Sequence, residues 1–207
     1  DGMSPALLVE RFDVRRGPED QRRLALEDFC SILDLPTSAK YDGTIERMAR
    51  GLRPLSTDPA ADLDILFRRA VFAWLIADGD MHLKNLAMLK TAEAGAKVFK
   101  TVRFAPLYDA VTTRIFPGLS VDRMALKLNG KDDRLRTQDF LGLARTIGLA
   151  VGDAERSIAE VARRLATCLP TLSLPAFAGD ADTAKGVQEK MTAIVRARCA
   201  AIDGVAE

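Results

Sequence analysis

Residues 62–85 read DLDILFRRAVFAWLIADGDMHLKN. Apolar side chains recur at steps of three and four along the first part of this segment: Leu63, Leu66, Phe67, Ala70, Val71, Trp74 and Leu75. This spacing predicts an amphipathic helix that begins near Asp62. Turn formers replace helix formers at residues 77–80, so we expect the helix to end there and a loop to follow.

The rest of the chain contains further helical patterns and a few short strand-like segments. Strands are predicted at residues 6–14, 86–89 and 97–104, with residues 93–96 as a hairpin connection. Helices are predicted at residues 26–33, 140–149, 158–169 and 187–202. The sequence has no internal repeat and no clear linker. It therefore predicts one mainly α (α+β) domain over residues 1–207.

Composition excludes several classes of protein. The 207 residues include 30 Lys or Arg and 29 Asp or Glu, which gives a net charge of +1. This balance argues against a protein that mainly coats nucleic acid or an anionic membrane. The longest apolar run, residues 70–77, has eight residues, whereas a membrane span needs about 20. We expect no membrane partner.

The cysteines and the single histidine do not suggest a structural metal site. Cys30, Cys168 and Cys199 lie far apart with no CxxC pair, and His82 is the only histidine. A zinc site would have too few ligands to use. We predict three buried, reduced thiols in a cytoplasmic protein.

Residues 78–85 carry the side chains best suited to chemistry. Asp80 and Asn85 have the D-x-x-x-x-N spacing of a kinase catalytic loop, in which a carboxylate accepts a hydroxyl proton and an amide oxygen holds Mg²⁺. Asp109, soon after the last predicted strand, supplies a second carboxylate for the metal. We expect these three residues to converge at one end of the helical domain. The structural alternative is that Asp78 and Asp80 only cap or terminate the helix and that Asn85 opens a hairpin.

The pattern G-D-x-H-x-x-N in this loop is similar to the catalytic loops of aminoglycoside phosphotransferases and phosphatidylinositol 3-kinases. Five blocks in the same order closely resemble the HipA-like serine/threonine kinases. They are residues 9–13 (VERFD), 27–41 (EDFC, L-x-LP and KY), 80–85 (DMHLKN), 106–109 (PLYD) and 124–145 (MALKLNGK, DF and LAR). The resemblance runs from about residue 6 to about residue 150.

This resemblance implies the helical C-terminal lobe of a protein-kinase-like fold that uses ATP and Mg²⁺. It implies that Asp80 is the catalytic base, and that Asn85 and Asp109 bind Mg²⁺. Tyr108 and Asp109 would stand where other kinases have Asp-Phe-Gly. Lys84 would either neutralise phosphate charge or be a solvated lysine. The residues implied to contact the nucleotide are Glu10, Arg11, Phe12, His82, Leu83, Lys84, Asn85, Tyr108 and Asp109.

The resemblance also implies partners. HipA-like kinases are typically toxins of bacterial toxin–antitoxin pairs, and they phosphorylate protein serine, in the best-known case on an aminoacyl-tRNA synthetase. A DNA-binding antitoxin restrains them. Basic residues between Lys127 and Arg145 would contact DNA only within such a complex. Because aspartates are interleaved with them, a solvated mixed-charge surface is the favoured interpretation.

Kinases of this kind also need an N-terminal lobe with a phosphate-covering loop and a strand lysine. The sequence has neither G-x-G-x-x-G nor G-x-x-x-x-G-K-[S/T]. We therefore expect the N-terminal ATP lobe to lie outside this chain. Either the chain is part of a longer kinase, or a partner supplies the lobe, or the chain is catalytically inactive.

Two other functions compete with a protein kinase. A small-molecule kinase of the aminoglycoside phosphotransferase type would need an acidic pocket for a cationic substrate. The tail offers Asp153, Glu155 and Glu160 but no dense acidic cluster. A non-catalytic interaction module would keep the shape of the lobe and bind a repressor, although intact Asp80, Asn85 and Asp109 argue against it.

Overall fold

The structure, a computed structural model, describes residues 8–16, 21–172 and 181–202. Six α-helices and five short strands lie within these ranges. The strands are β1 (Val14–Arg16), β2 (Gln21–Arg23), β3 (Ala25–Asp28), β4 (Ala87–Thr91) and β5 (Thr101–Phe104). The helices are α1 (Phe29–Ile32), α2 (Ile45–Leu52), α3 (Pro59–Ile76), α4 (Thr137–Ile147), α5 (Val151–Cys168) and α6 (Ala181–Ala201).

Helix α3 is the centre of the molecule. Its first turn is capped by the Asp58 carboxylate, which accepts a hydrogen bond from the Ala61 backbone NH at 3.2 Å. The helix contacts α2, α4, α5, α6 and β5. Its Phe67 ring lies edge-on to Phe140 of α4 in the core, with centroids 6.4 Å apart. Ala77, at a left-handed φ of 58°, ends the helix and turns the chain into the loop that follows.

A three-stranded antiparallel sheet in the order β3-β4-β5 lies beside α3. Strands β1 and β2 form a separate antiparallel pair. The loop between α3 and β4 is held against the start of α1, because the Phe29 backbone NH donates to the Leu86 carbonyl at 3.1 Å. The fold therefore anchors this loop at both of its ends. No helix among the described residues is both long and apolar enough to cross a membrane.

The mainly helical architecture is confirmed, and so are α3, the β4–β5 hairpin and the three tail helices. The helix predicted at residues 26–33 was wrong in its first half, because residues 25–28 pair with β4 as an edge strand and α1 begins only at Phe29. Residues 8–13 of the strand predicted at 6–14 lie outside any strand, and residues 6 and 7 fall outside the described residues. Helix α2 had no prediction.

The cysteines only partly match the expected pattern. All three thiols are free. Cys30 is buried and Cys199 is half-buried, but Cys168, near the end of α5, is exposed. The prediction of burial was therefore wrong for Cys168, which lies on the outward side of its helix. Among the described residues, no group of three or more His, Cys, Asp or Glu side chains could hold a metal ion.

Candidate active site

The loop after α3 is shaped by hydrogen bonds to its own backbone. The Asp80 carbonyl accepts from the His82 backbone NH at 2.7 Å and from the Asn85 side-chain amide at 2.9 Å. The Asp80 backbone NH donates to the Asp78 carboxylate at 2.9 Å. These bonds involve the backbone of Asp80 and not its carboxylate, which is half-buried. Asp80 Oδ1 accepts a hydrogen bond from the Tyr41 hydroxyl at 2.6 Å.

Gly79 permits a close approach between the loop and the segment that follows β5. A Cβ at this position would lie 1.9 Å from Asp122 Oδ2 and 2.7 Å from Thr113 Oγ1. The Gly79 backbone NH donates to Thr113 Oγ1 at 3.1 Å, and the Thr113 hydroxyl donates to the Ala77 carbonyl at 3.0 Å. Only glycine fits between these groups, so residues 113 and 122 are fixed against the loop.

Tyr108 and Asp109 reach the same loop from the end of β5. The Tyr108 hydroxyl donates to the Lys84 carbonyl at 2.8 Å. Asp109 has a left-handed φ of 55°, a conformation that aspartate tolerates better than most residues. Its negative charge acts on both Asp78 and His82, and in each case it favours a higher pKa. Asp109 thus lies at the same end of α3 as Asp80 and Asn85, although the three come from two separate segments.

His82 is a buried, neutral side chain at the base of the loop. Burial and the nearby Lys40 ammonium lower the pKa of its imidazole, so the ring is uncharged at pH 7. The ring packs edge-on against Tyr41, with centroids 5.1 Å apart. Its Nδ1 atom has no hydrogen-bond partner among the described residues.

The residues expected to contact a nucleotide differ from one another in exposure and in the contacts that they make. Phe12 packs against Tyr108 with ring centroids 5.7 Å apart, which brings the N-terminal segment to this end of the molecule. Glu10 is exposed, and Arg11 donates to the Asp13 carboxylate, with Nε 2.8 Å from Oδ1. The side chain of Leu83 is fully buried in the core, so only its backbone is available to a ligand.

Lys84 is held by an ion pair. Its Nζ lies 2.6 Å from Asp28 Oδ2, and the same aspartate caps α1 through Oδ1. The carboxylate raises the pKa of the Lys84 ammonium through this hydrogen bond and its charge. The described contact therefore ties the loop to the β3–α1 junction, and Lys84 is not a freely solvated side chain.

Asn85 and Asp109 have the right chemistry for a hard cation. Asn85 is buried, and its NH₂ group is used in the bond to the Asp80 carbonyl, which orients the amide. Its oxygen takes no part in that bond and is available as a ligand. Oxygen donors of these two types, completed by phosphates, are what Mg²⁺ prefers. The residues present therefore fit the implied metal.

Three residues of this site have no role predicted from the sequence: Tyr41, Asp122 and Thr113. Tyr41 belongs to the KY dipeptide of the resemblance, but its spacing gives no hint of a contact with residue 80. Asp122 and Thr113 stand in a stretch without motif or periodicity. The only signal that points to them is Gly79, whose missing side chain implies a close neighbour.

Asp78 is a buried carboxyl group whose pKa is raised. It is 2% exposed, and burial, opposed by backbone hydrogen bonds, raises its pKa to about 6 from the ordinary 3.8. A raised folded pKa means that the folded state bears a cost above pH 6, where it must bury the charge, and none below about pH 4. The shift corresponds to about 3 kcal/mol at most.

Asp78→Asn should therefore gain stability relative to the wild type as the pH rises. The unfolding free energy of the variant minus that of the wild type should increase between about pH 4 and pH 8. The amide oxygen can still accept from the Asp80 backbone NH, so the loop keeps its shape. Urea unfolding at several pH values in EDTA measures this difference. Asp34→Asn, at an exposed turn, is the matched control. A difference that does not change with pH would contradict the prediction.

The chain is similar to one known family and to two proteins named as kinases. The family model described as "HipA-like C-terminal domain" matches residues 1–169. The protein named "Putative kinase Y4mE" of Sinorhizobium fredii is 34% identical over 143 residues, which are 67% of this chain and 32% of that protein. "Putative kinase Y4dM" of the same organism is 34% identical over 108 residues, 52% of this chain and 24% of that protein.

A solved structure has the same fold. It is the complex of HipA, HipB and operator DNA of the Shewanella oneidensis MR-1 toxin–antitoxin system. The match has a TM-score of 0.72 at 22% sequence identity and covers 92% of this chain. It covers 47% of the solved chain. The chain thus spans about half the length of that protein and a third or less of the curated relatives.

Proposed function

Because the chain belongs to the HipA-like C-terminal domain family, we propose that it is the catalytic lobe of an ATP-dependent serine/threonine protein kinase. The observation that carries this proposal is that two segments meet at one loop: Asn85 bonds to the Asp80 carbonyl, and Tyr108, next to Asp109, bonds to the Lys84 carbonyl. Phosphoryl transfer to a hydroxyl requires a carboxylate base near oxygen-bearing side chains that can hold Mg²⁺, and Asp80, Asn85 and Asp109 are of those types. The relatives named as kinases support the same reaction class.

Each residue has a distinct role in the proposed reaction. Asp80 accepts the proton of the acceptor hydroxyl, since its carboxylate takes no part in the bonds within the loop and borders a cavity. Asn85 and Asp109 hold Mg²⁺, which neutralises charge on the phosphates when it is bound. Phe12 and Tyr108 form an aromatic surface beside the loop, suited to the base of the nucleotide. The other residues proposed to contact the nucleotide are Glu10, Arg11, His82, Leu83 and Lys84. Leu83 does so through its backbone.

The substrate and the partners are part of the proposal. Serine on a protein, such as an aminoacyl-tRNA synthetase, is the proposed acceptor. The similar solved protein is a complex with HipB and operator DNA, which supports an antitoxin partner and DNA contact within such an assembly. We place the kinase in the cytoplasm, where three free thiols are usual. We further propose that residues 1–207 are one lobe and that the N-terminal ATP lobe belongs to a longer chain.

The test is phosphoryl transfer by the full-length protein that contains these residues. We expect γ-labelled ATP to label serine on an aminoacyl-tRNA synthetase from the same organism, and EDTA to abolish the labelling. Kanamycin as acceptor separates the aminoglycoside-type alternative, because that enzyme would label kanamycin and leave the protein unlabelled. ATP binding without transfer to either acceptor would favour the non-catalytic interaction module and contradict the proposal.

A further inference from the structure

We propose that Tyr41 is a positioning residue that holds the Asp80 carboxylate in the orientation needed to receive the acceptor hydroxyl. This inference rests on the proposed function and assigns a role to a residue outside the catalytic loop. Tyr41 and Asp80 are 39 positions apart, and the Tyr41 hydroxyl donates to Asp80 Oδ1 at 2.6 Å. This is the only hydrogen bond to the Asp80 carboxylate from a described residue.

Tyr41 is fixed in place although it is 47% exposed. Its ring makes a T-shaped contact with His82, and the Lys40 ammonium lies 4.9 Å from the ring centroid. The backbone beside it is bound to the loop as well, because the Leu83 NH donates to the Lys40 carbonyl at 3.0 Å. A tyrosine held by so many contacts loses little further freedom when its hydroxyl binds a carboxylate.

Because of this hydrogen bond, the two carboxylate oxygens of Asp80 have different roles. Oδ1 is occupied by Tyr41, so Oδ2 is the oxygen left for an acceptor hydroxyl. A cavity of about 550 Å³ opens beside the carboxylate, lined by Tyr41, Asp80, Phe116, Leu119 and Asp122 among others. Tyr41 is thus both the group that orients the base and a wall of the space where a serine would enter.

The opposite role for the same contact is inhibition. A hydroxyl 2.6 Å from the base resembles an acceptor hydroxyl, and such a tyrosine would compete with the substrate. The two roles differ in sign, because loss of a positioning group slows transfer and loss of a competing group speeds it. The fixed ring and the second, unoccupied carboxylate oxygen favour positioning.

The kinetic test is Tyr41→Phe in the full-length protein, which keeps the ring and its contact with His82. We expect kcat to fall about 10- to 100-fold, as for a hydrogen bond to a charged group, with the KM for ATP nearly unchanged. In the double variant with Asp80→Asn, Tyr41→Phe should add almost no further loss, since the two residues act as a unit. A residue with only a structural role would lower activity equally in both backgrounds.

A second test needs no activity. The carboxylate of Asp80 raises the pKa of Tyr41 to about 12, with burial and the charge of Asp122 as further causes. In ¹³Cζ-tyrosine NMR of the chain, the Tyr41 resonance should not titrate up to about pH 11. Asp80→Asn should bring it toward its ordinary value near 10. The only other tyrosine is Tyr108, so Tyr108→Phe assigns the two signals.

The outcomes separate this inference from the proposed function. An active wild type whose Tyr41→Phe variant is equally active or faster overturns the positioning role alone. A Tyr41 resonance that is unchanged by Asp80→Asn overturns the hydrogen bond itself. A wild-type protein that transfers no phosphate overturns the proposed function, and the role of Tyr41 falls with it.

Discussion

Asp80→Asn is expected to reduce phosphoryl transfer by the full-length protein about 10²- to 10⁴-fold, the usual contribution of a general base. The substitution removes the carboxylate that accepts the hydroxyl proton and changes little else. The Asp80 contacts within the loop are made by its backbone, and an amide oxygen can still accept from the Tyr41 hydroxyl. A labelling assay with [γ-³²P]ATP and a protein acceptor measures the loss.

The fold should survive this substitution, because it creates neither a cavity nor an unpaired buried charge. Asp34→Asn is the matched control. Asp34 is an exposed aspartate in a left-handed conformation, with φ of 53°, which asparagine tolerates equally well. Near-normal activity in a folded Asp80→Asn protein would refute Asp80 as the base. Asp78 would be the next candidate, although it is buried and turned toward the backbone.

Asp109→Asn is expected to act through the metal. Removing a negative charge from one of two oxygen ligands should lower the apparent affinity for Mg²⁺ by at least about 10- to 100-fold, the range found for changes in the surroundings of metal ligands. Raising the Mg²⁺ concentration should therefore recover part of the lost activity. The backbone at residue 109 is left-handed, so asparagine adds no strain there, whereas alanine would.

A Mg²⁺ titration of both variants distinguishes the two roles. Excess Mg²⁺ should rescue Asp109→Asn in part and Asp80→Asn not at all, because no concentration of metal replaces a missing base. Equal rescue of both variants, or of neither, would contradict the assignment of Asp109 as a metal ligand and Asp80 as the base.

Much of the fold is predictable because its longest elements are locally encoded. The three- and four-residue spacing of apolar side chains predicts the positions of α3 and of the tail helices well. In α4 and α5 it reflects a buried stripe, whereas residues 73–76 of α3 are buried on every side. Strand β3 and helix α2 are different. Residues 25–28 are a strand because β4, some 60 positions later, offers an edge to pair with, and no local pattern carries that information.

The candidate site likewise has a part that the local sequence predicts and a part that depends on tertiary contacts. The sequence by itself determined the loop with Asp80 and Asn85, because the roles proposed for them depend on residue type and spacing within one segment. Only the tertiary structure decided what surrounds them: Tyr41 on the Asp80 carboxylate, Asp28 on Lys84, and Asp122 against Gly79. Each of these contacts joins residues at least 39 positions apart. Their formation depends on how α3 and the sheet pack, which no short-range pattern encodes.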